Sequence, residues 1–225
     1  MRIAIIIPTR KGSKSIKNKN LRLLNNKPLA EHTFISTQKI NLQKFILSDD
    51  KKMKKIAKKY NIITDYVRPR KVSKDKSSLV DTLVDFISFT ENNKLFKFDT
   101  LLILQVTSPL RTKKDIEDAI KYYKKNKFKS LFSVSDSQEH PYESINIKKN
   151  GKWSYNLLKA KKFYRRQDFD INSYFINGAI YMIDLKYFKK YKKLISNKHG
   201  IFVMKKINSI DIDDEEDLIM ASKLK

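Results

Sequence analysis

Ile3-Ala4-Ile5-Ile6-Ile7 is an unbroken apolar run closed by Pro8, and few folds can house it. A run this short, with no polar alternation, suits a strand covered on both faces, as in a parallel sheet with helices above and below. The chain then turns polar in Thr9-Arg10-Lys11-Gly12-Ser13-Lys14. A loop at the carboxyl end of such a strand lies where open α/β sheets bind ligands. Its cations, hydroxyls and loop amides suit a polyphosphate.

Strand and helix signals alternate further along, which predicts an α/β fold with a mostly parallel sheet and helices on both faces. Helical spacing covers residues 29–39, 53–60, 78–89, 115–123 and 216–224, and strand-like runs cover 44–47, 64–67, 101–104, 130–134, 174–183 and 201–205. The rhythm breaks between residues 139 and 172, a polar stretch holding His140-Pro141, Asn150-Gly151 and Trp153. Asn-Gly between Ile145-Asn146-Ile147 and Trp153-Ser154-Tyr155 signals a hairpin. We read residues 1–225 as one domain, with 139–172 as an inserted β-rich excursion.

The net charge of +25 invites a nucleic-acid reading. Most cations are lysines strewn over helix-like segments such as Lys51-Lys52-Met53-Lys54-Lys55, whereas arginine, the residue suited to forked contacts, occurs only eight times. Solvated helix faces explain the lysines, and no nucleic-acid motif accompanies them, so no specific nucleic-acid partner is expected. Cysteine is absent, which excludes disulfides and thiol chemistry. No stretch of about 18 apolar residues suggests a membrane span, and no leader pattern opens the chain. These features fit a cytoplasmic protein.

Four groups could carry chemistry. In the first loop, Arg10 and Lys14 would neutralise a triphosphate, Ser13 could donate to it, and Gly12 would permit backbone shapes that a β-carbon hinders; an ordinary basic surface loop is the competing view. Asp211-Ile212-Asp213 places two carboxylates on one side of an extended segment, as a hard cation requires, although Asp213 or Asp214 could equally cap the last helix. Gln105, Thr107, Ser108 and Arg111 end the most apolar strand, on the expected ligand rim. Thr112 with Asp115 would by itself make a helix start. Arg166 with Arg165 could grip a carboxylate; a solvated basic turn is the plainer alternative. No Ser-His-Asp arrangement supports hydrolase chemistry.

Taken in order, these segments resemble the acylneuraminate cytidylyltransferase family. The matching strings are Ile7-Pro8-Thr9-Arg10-Lys11-Gly12-Ser13-Lys14 with Lys19-Asn20, Ser48-Asp49-Asp50, Arg68-Pro69, and Asp75-Lys76-Ser77-Ser78. Leu104-Gln105-Val106-Thr107-Ser108-Pro109-Leu110-Arg111, Arg166-Gln167, Asn177-Gly178-Ala179-Ile180-Tyr181 and Ile210-Asp211-Ile212-Asp213 complete the set. The resemblance implies a Rossmann-like nucleotidyltransferase in which the anomeric hydroxyl of an acidic nine-carbon sugar attacks the α-phosphate of CTP. It implies nucleotide contacts from Arg10, Gly12, Ser13, Lys14, Asn20, Arg68, Ser77 and Ser78, and sugar contacts from Gln105, Arg166, Gln167 and Asn177. Asp211 and Asp213 would hold magnesium, with Arg10, Lys14 and Asp211 closest to the chemistry, and the excursion would serve a homodimer. The first loop departs from the family pattern at Lys11, Ser15 and Lys17, and Phe175-Ile176 stand where some sialic acid enzymes carry an extra arginine. An octulosonate or other sugar nucleotidyltransferase is the rival within the class.

Overall fold

A computed structural model describes residues 1–12, 15–73, 77–93, 96–137, 139–157 and 165–224 of the chain. Its elements are β1 (Ile3–Pro8), β2 (Leu23–Leu24), β3 (Lys27–Pro28), α1 (Leu29–Thr37), β4 (Gln43–Leu47), α2 (Lys51–Lys58), α3 (Leu79–Asn93) and β5 (Thr100–Leu104). There follow α4 (Lys113–Asn126), β6 (Ser130–Asp136), β7 (Ile145–Ile147), β8 (Trp153–Tyr155), β9 (Tyr174–Asp184), α5 (Leu185–Tyr191), β10 (His199–Val203) and α6 (Glu215–Leu224). Six strands make one sheet in the order β10-β6-β9-β5-β1-β4. The opening apolar run thus lies inside the sheet, pairing in parallel with both β4 and β5.

Both faces of β1 are covered, as its composition demands. Ile3, Ile5 and Ile7 join Phe34, Met53, Ala57, Ile116 and Tyr123 from α1, α2 and α4. Ala4 and Ile6 join Leu83, Phe86, Ile87 and Phe188 from α3 and α5 on the opposite face. Local chemistry starts the helices: Asp50 accepts from the Lys52 amide at 2.8 Å ahead of α2, and Thr112 with Asp115 forms a full capping box at α4. A third, smaller cluster unites Ile16, Leu24, Leu29, Ile212, Leu218 and Ala221. It bridges the segment after β1 and the segment before α6.

Residues 64–67, expected as a strand, form no ladder with β4; among the described residues the pairing at this edge is two isolated bridges, Phe45 to Ile63 and Ser48 to Val67. Tyr66 turns inward against Phe86 and donates its hydroxyl to Asp85 at 2.8 Å, while Val67 is exposed. β9 is the one strand of the sheet that runs antiparallel to its neighbours. It is a core strand only from Asn177 onward, because Tyr174, Phe175 and Ile176 are exposed. Its register against β6 shifts between Phe132 and Val134, and Gly178 adopts φ 68°, a conformation open to glycine and costly for most side chains.

Within the excursion, β7 and β8 pair as the expected hairpin across Asn150-Gly151. The hairpin is a separate two-stranded sheet. The His140 and Phe169 rings meet tilted at 34° with centroids 4.2 Å apart, and the Tyr142 hydroxyl donates to Asp170 at 2.8 Å. These contacts close the excursion on itself.

Candidate active site

The carboxyl ends of β1 and β5 open into a cavity of about 530 Å³. Its near wall is the first loop, which three different elements hold residue by residue. The Thr9 amide donates to the Leu47 carbonyl at 3.0 Å, Asn20 Nδ2 donates to the Arg10 carbonyl at 2.9 Å, and the Lys11 amide donates to Asp49 Oδ1 at 2.8 Å. Ser13 and Lys14 lie outside the described residues. Gly12 lines the cavity, yet its φ is ordinary and an added β-carbon would meet nothing within 4 Å. The expected steric need for glycine is therefore not a need of the fold.

Opposite stands the acidic segment. The Ile212 amide donates to the Thr107 carbonyl at 2.8 Å, tying the segment to the end of β5. Lys19 Nζ reaches across from the first loop, donating to the Ile212 carbonyl at 2.7 Å and to Asp213 Oδ1 at 3.1 Å. Asp213 is otherwise exposed, whereas Asp211 is half-buried with a buried Oδ1 that has no hydrogen-bond partner among the described residues. Burial pushes the Asp211 carboxyl above the usual carboxylate range; nearby Thr107 offsets part of the rise, and Asp213 adds to it. Thr107 Oγ1 and Thr9 Oγ1, on the same cavity, are also buried without a hydrogen-bond partner. Among the described residues no three His, Cys, Asp or Glu side chains cluster tightly enough to hold a metal by themselves.

Arg68 forms the floor. Both its Nε and Nη2 donate to the Val72 carbonyl, at 2.9 and 2.6 Å. Burial lowers its pKa, while the charge of Asp49 works the other way and Arg10 adds repulsion. Arg10, Gly12, Asn20, Arg68, Ser77, Gln105, Asp211 and Asp213 all line this one cavity. Cationic and acidic groups some 200 residues apart in the chain therefore meet.

Other expected site residues do not meet there. Ser78 exchanges hydrogen bonds with Asp81 at the start of α3, so it caps a helix and is not a cavity wall. Asn177, expected on the sugar side, is buried and committed: Oδ1 accepts from Ser133 Oγ at 2.6 Å and from the Ala179 amide, and Nδ2 donates to Ser209 Oγ at 3.0 Å. It braces the β9 bulge. Arg111 is likewise no rim residue; it is buried and donates to the carbonyls of Gln105 and Ala179 and to Thr33 Oγ1. Gln167 is exposed on the turn Arg166–Asp168 and is not among the residues that line the cavity, and the Arg166 side chain lies outside the described residues. Lys19 is the residue that sequence reasoning gave no role. One lysine among so many carries no mark of its own, and only the reach to Ile212 reveals it.

A family model described as cytidylyltransferase matches residues 4–219. N-acylneuraminate cytidylyltransferase of Streptococcus agalactiae is 30% identical over 222 residues, covering 97% of this chain and 52% of that protein. The chain thus spans about half the length of those streptococcal relatives. CMP-N,N'-diacetyllegionaminic acid synthase of Legionella pneumophila is 32% identical over 232 residues, covering 100% of this chain and 96% of that protein. A solved CMP:2-keto-3-deoxy-manno-octonic acid synthetase complexed with CTP superposes with a TM-score of 0.71 at 14% identity, covering 100% of this chain and 98% of the other. At that identity the likeness is one of fold.

Proposed function

The chain belongs to the cytidylyltransferase family, and from that premise we propose that it activates an acidic nine-carbon keto-sugar with CTP. The anomeric hydroxyl attacks the α-phosphate, the bond to the departing pyrophosphate breaks, and a CMP-sugar forms. One observation carries the reading: Arg10, Lys19 and Arg68 line a single cavity with Asp211 and Asp213. Cations bind the triphosphate and stabilise charge on the leaving pyrophosphate; positioning and electrostatics dominate such transfers. Lys19 also ties the two walls together through Ile212 and Asp213. Gln105 lines the same cavity beside Gly178, whose position would bring a β-carbon to 3.5 Å from Gln105 Oε1, and faces the sugar in this reading.

The reading includes a divalent cation, magnesium, at Asp211 and Asp213. Asp211 Oδ1 fits it: a hard oxygen donor, buried on the cavity wall and without a partner among the described residues. Two carboxylates with substrate oxygens make a familiar magnesium shell, and the ion when bound would draw charge from the phosphates during displacement. The full-length match to the Legionella protein supports a legionaminic-type substrate. Exposed Ile145, Ile147 and Trp153 on the hairpin support assembly as a homodimer through the excursion. No helix among the described residues is long and apolar enough to cross a membrane, which suits work in the cytoplasm beside the CTP pool.

The test is incubation with CTP, magnesium and a panel of nine-carbon and eight-carbon keto-acids, reading pyrophosphate and CMP-sugar. Turnover with the N-acylated nine-carbon acids is expected. Preference for the eight-carbon acid would reassign the substrate, and no pyrophosphate with any acid would overturn the proposal.

A further inference from the structure

Ser48-Asp49-Asp50 stands in the sequence with no role in the chemistry described so far. The structure divides its labour. Ser48 is fully buried; its carbonyl accepts from the Arg68 amide at 3.3 Å and its hydroxyl accepts from the Asp50 amide at 3.1 Å. Asp50 caps α2. Asp49 serves neither the sheet nor the helix. Its carboxylate reaches across to the first loop and accepts from the Lys11 amide at 2.8 Å.

We propose that Asp49 is the positioning residue that holds the first loop in the shape that receives the triphosphate, an inference that rests on the CTP reading above. The loop leaves β1 with Thr9 held by Leu47 and the Arg10 carbonyl held by Asn20. Lys11 is the last residue before Gly12, and Asp49 fixes its amide. Gly12 adds no steric restraint of its own, since an added β-carbon there would meet nothing within 4 Å. The Asp49 bond therefore fixes the backbone at Lys11, next to Gly12 on the cavity wall.

Charge sharpens the argument. A carboxylate beside an anion site repels the ligand unless it does something the ligand needs. Here its charge faces Arg68, on the cavity floor, and favours the charged guanidinium against burial. Asp49 thus holds one phosphate-facing element by a charge-assisted hydrogen bond and steadies another by attraction. It acts through Lys11 and Arg68 without touching substrate.

The variants Asp49→Ala and Asp49→Asn separate this role from a general structural one. In Asp49→Ala we expect the calorimetric Kd and the KM for CTP to rise about tenfold, which corresponds to about 1.4 kcal/mol. The KM for the sugar should hold, and Asp49→Asn, which keeps the acceptor oxygen but loses the charge facing Arg68, should recover part of the loss. An unchanged CTP affinity in Asp49→Ala, or equal losses for CTP and sugar, would overturn the assignment. If Asp49→Ala does not fold, hydrogen exchange in the wild-type chain still decides: the Lys11 amide should be protected relative to Gly12, and equal exchange would sink the idea. Failure of the wild-type chain to turn over any acidic sugar would count against the function proposed, whereas the calorimetric comparison would still judge Asp49.

Discussion

Two sets of polar groups with buried atoms crowd the same end of the sheet, and they are satisfied to different degrees. Arg111 and Asn177 lie off the cavity, and most of their donors and acceptors go to Gln105, Ala179, Thr33, Ser133 and Ser209, with Arg111 Nε alone buried without a partner among the described residues. Asp211, Thr107 and Thr9 lie on the cavity, and each has a buried oxygen with no hydrogen bond among the described residues. The first set costs the fold less because most of its desolvation is matched by protein partners. The second set is a standing cost, tolerable where a ligand supplies the missing partners. Three of the five orphaned buried side-chain atoms among the described residues line the cavity, while Ser108 Oγ and Arg111 Nε do not, so incomplete satisfaction points to the cavity without being confined to it. Arg111 and Asn177 are the more conspicuous in sequence and are braces.

That contrast can be attacked experimentally, beginning where the effect is greatest. Asp211→Asn should lower turnover about 100-fold or more, as removal of a preorganised charged group from a transfer site does, with the melting temperature undiminished. A near-normal rate with magnesium would show that the open carboxylate is not functional. Arg111→Met should do the reverse, costing about 3 kcal/mol of stability by stranding the two carbonyls it now serves. If denaturant melts show no loss, the brace assignment falls. Arg68→Ala should raise the KM for CTP about tenfold with a smaller change for the sugar; equal changes in both would place Arg68 among the braces.

The smallest effect expected is one of pH. Burial raises the folded pKa of Asp211, so its ionisation penalises the native state. The penalty is absent below the unfolded value of about 3.9, grows as pH rises past it, and is complete above the folded value. Without divalent cations, Asp211→Asn should match the wild-type melting temperature in acid and exceed it at neutral pH. Parallel melting curves across that range would contradict the raised pKa.

Much of the scaffold was legible because its signals are periodic. The unalternating run of β1 demanded cover on both faces, and the odd and even isoleucines do part between two cores. Residues 64–67 misled because β-rich composition does not guarantee pairing: the segment makes an isolated bridge from Val67 to Ser48 and no continuous ladder. Asn177-Gly178 was read as ligand-facing, yet a polar pair inside an apolar strand can equally be a bulge with its own hydrogen bonds. Arg10, Asn20, Gln105 and Asp211 were found in the cavity as expected, because strand ends dictate where a loop emerges. Lys19 escaped notice because its partner, Ile212, lies 193 residues away in sequence and its role depends wholly on that contact.

The small cluster of Ile16, Leu24, Leu29, Ile212, Leu218 and Ala221 gives this arrangement a mechanical consequence. It works as a clasp, with the last helix as its pin: any opening that frees Leu218 and Ala221 loosens the basic and acidic jaws in the same motion. Substitutions at the tail end of the chain can thus silence the front end without touching a single phosphate-facing atom.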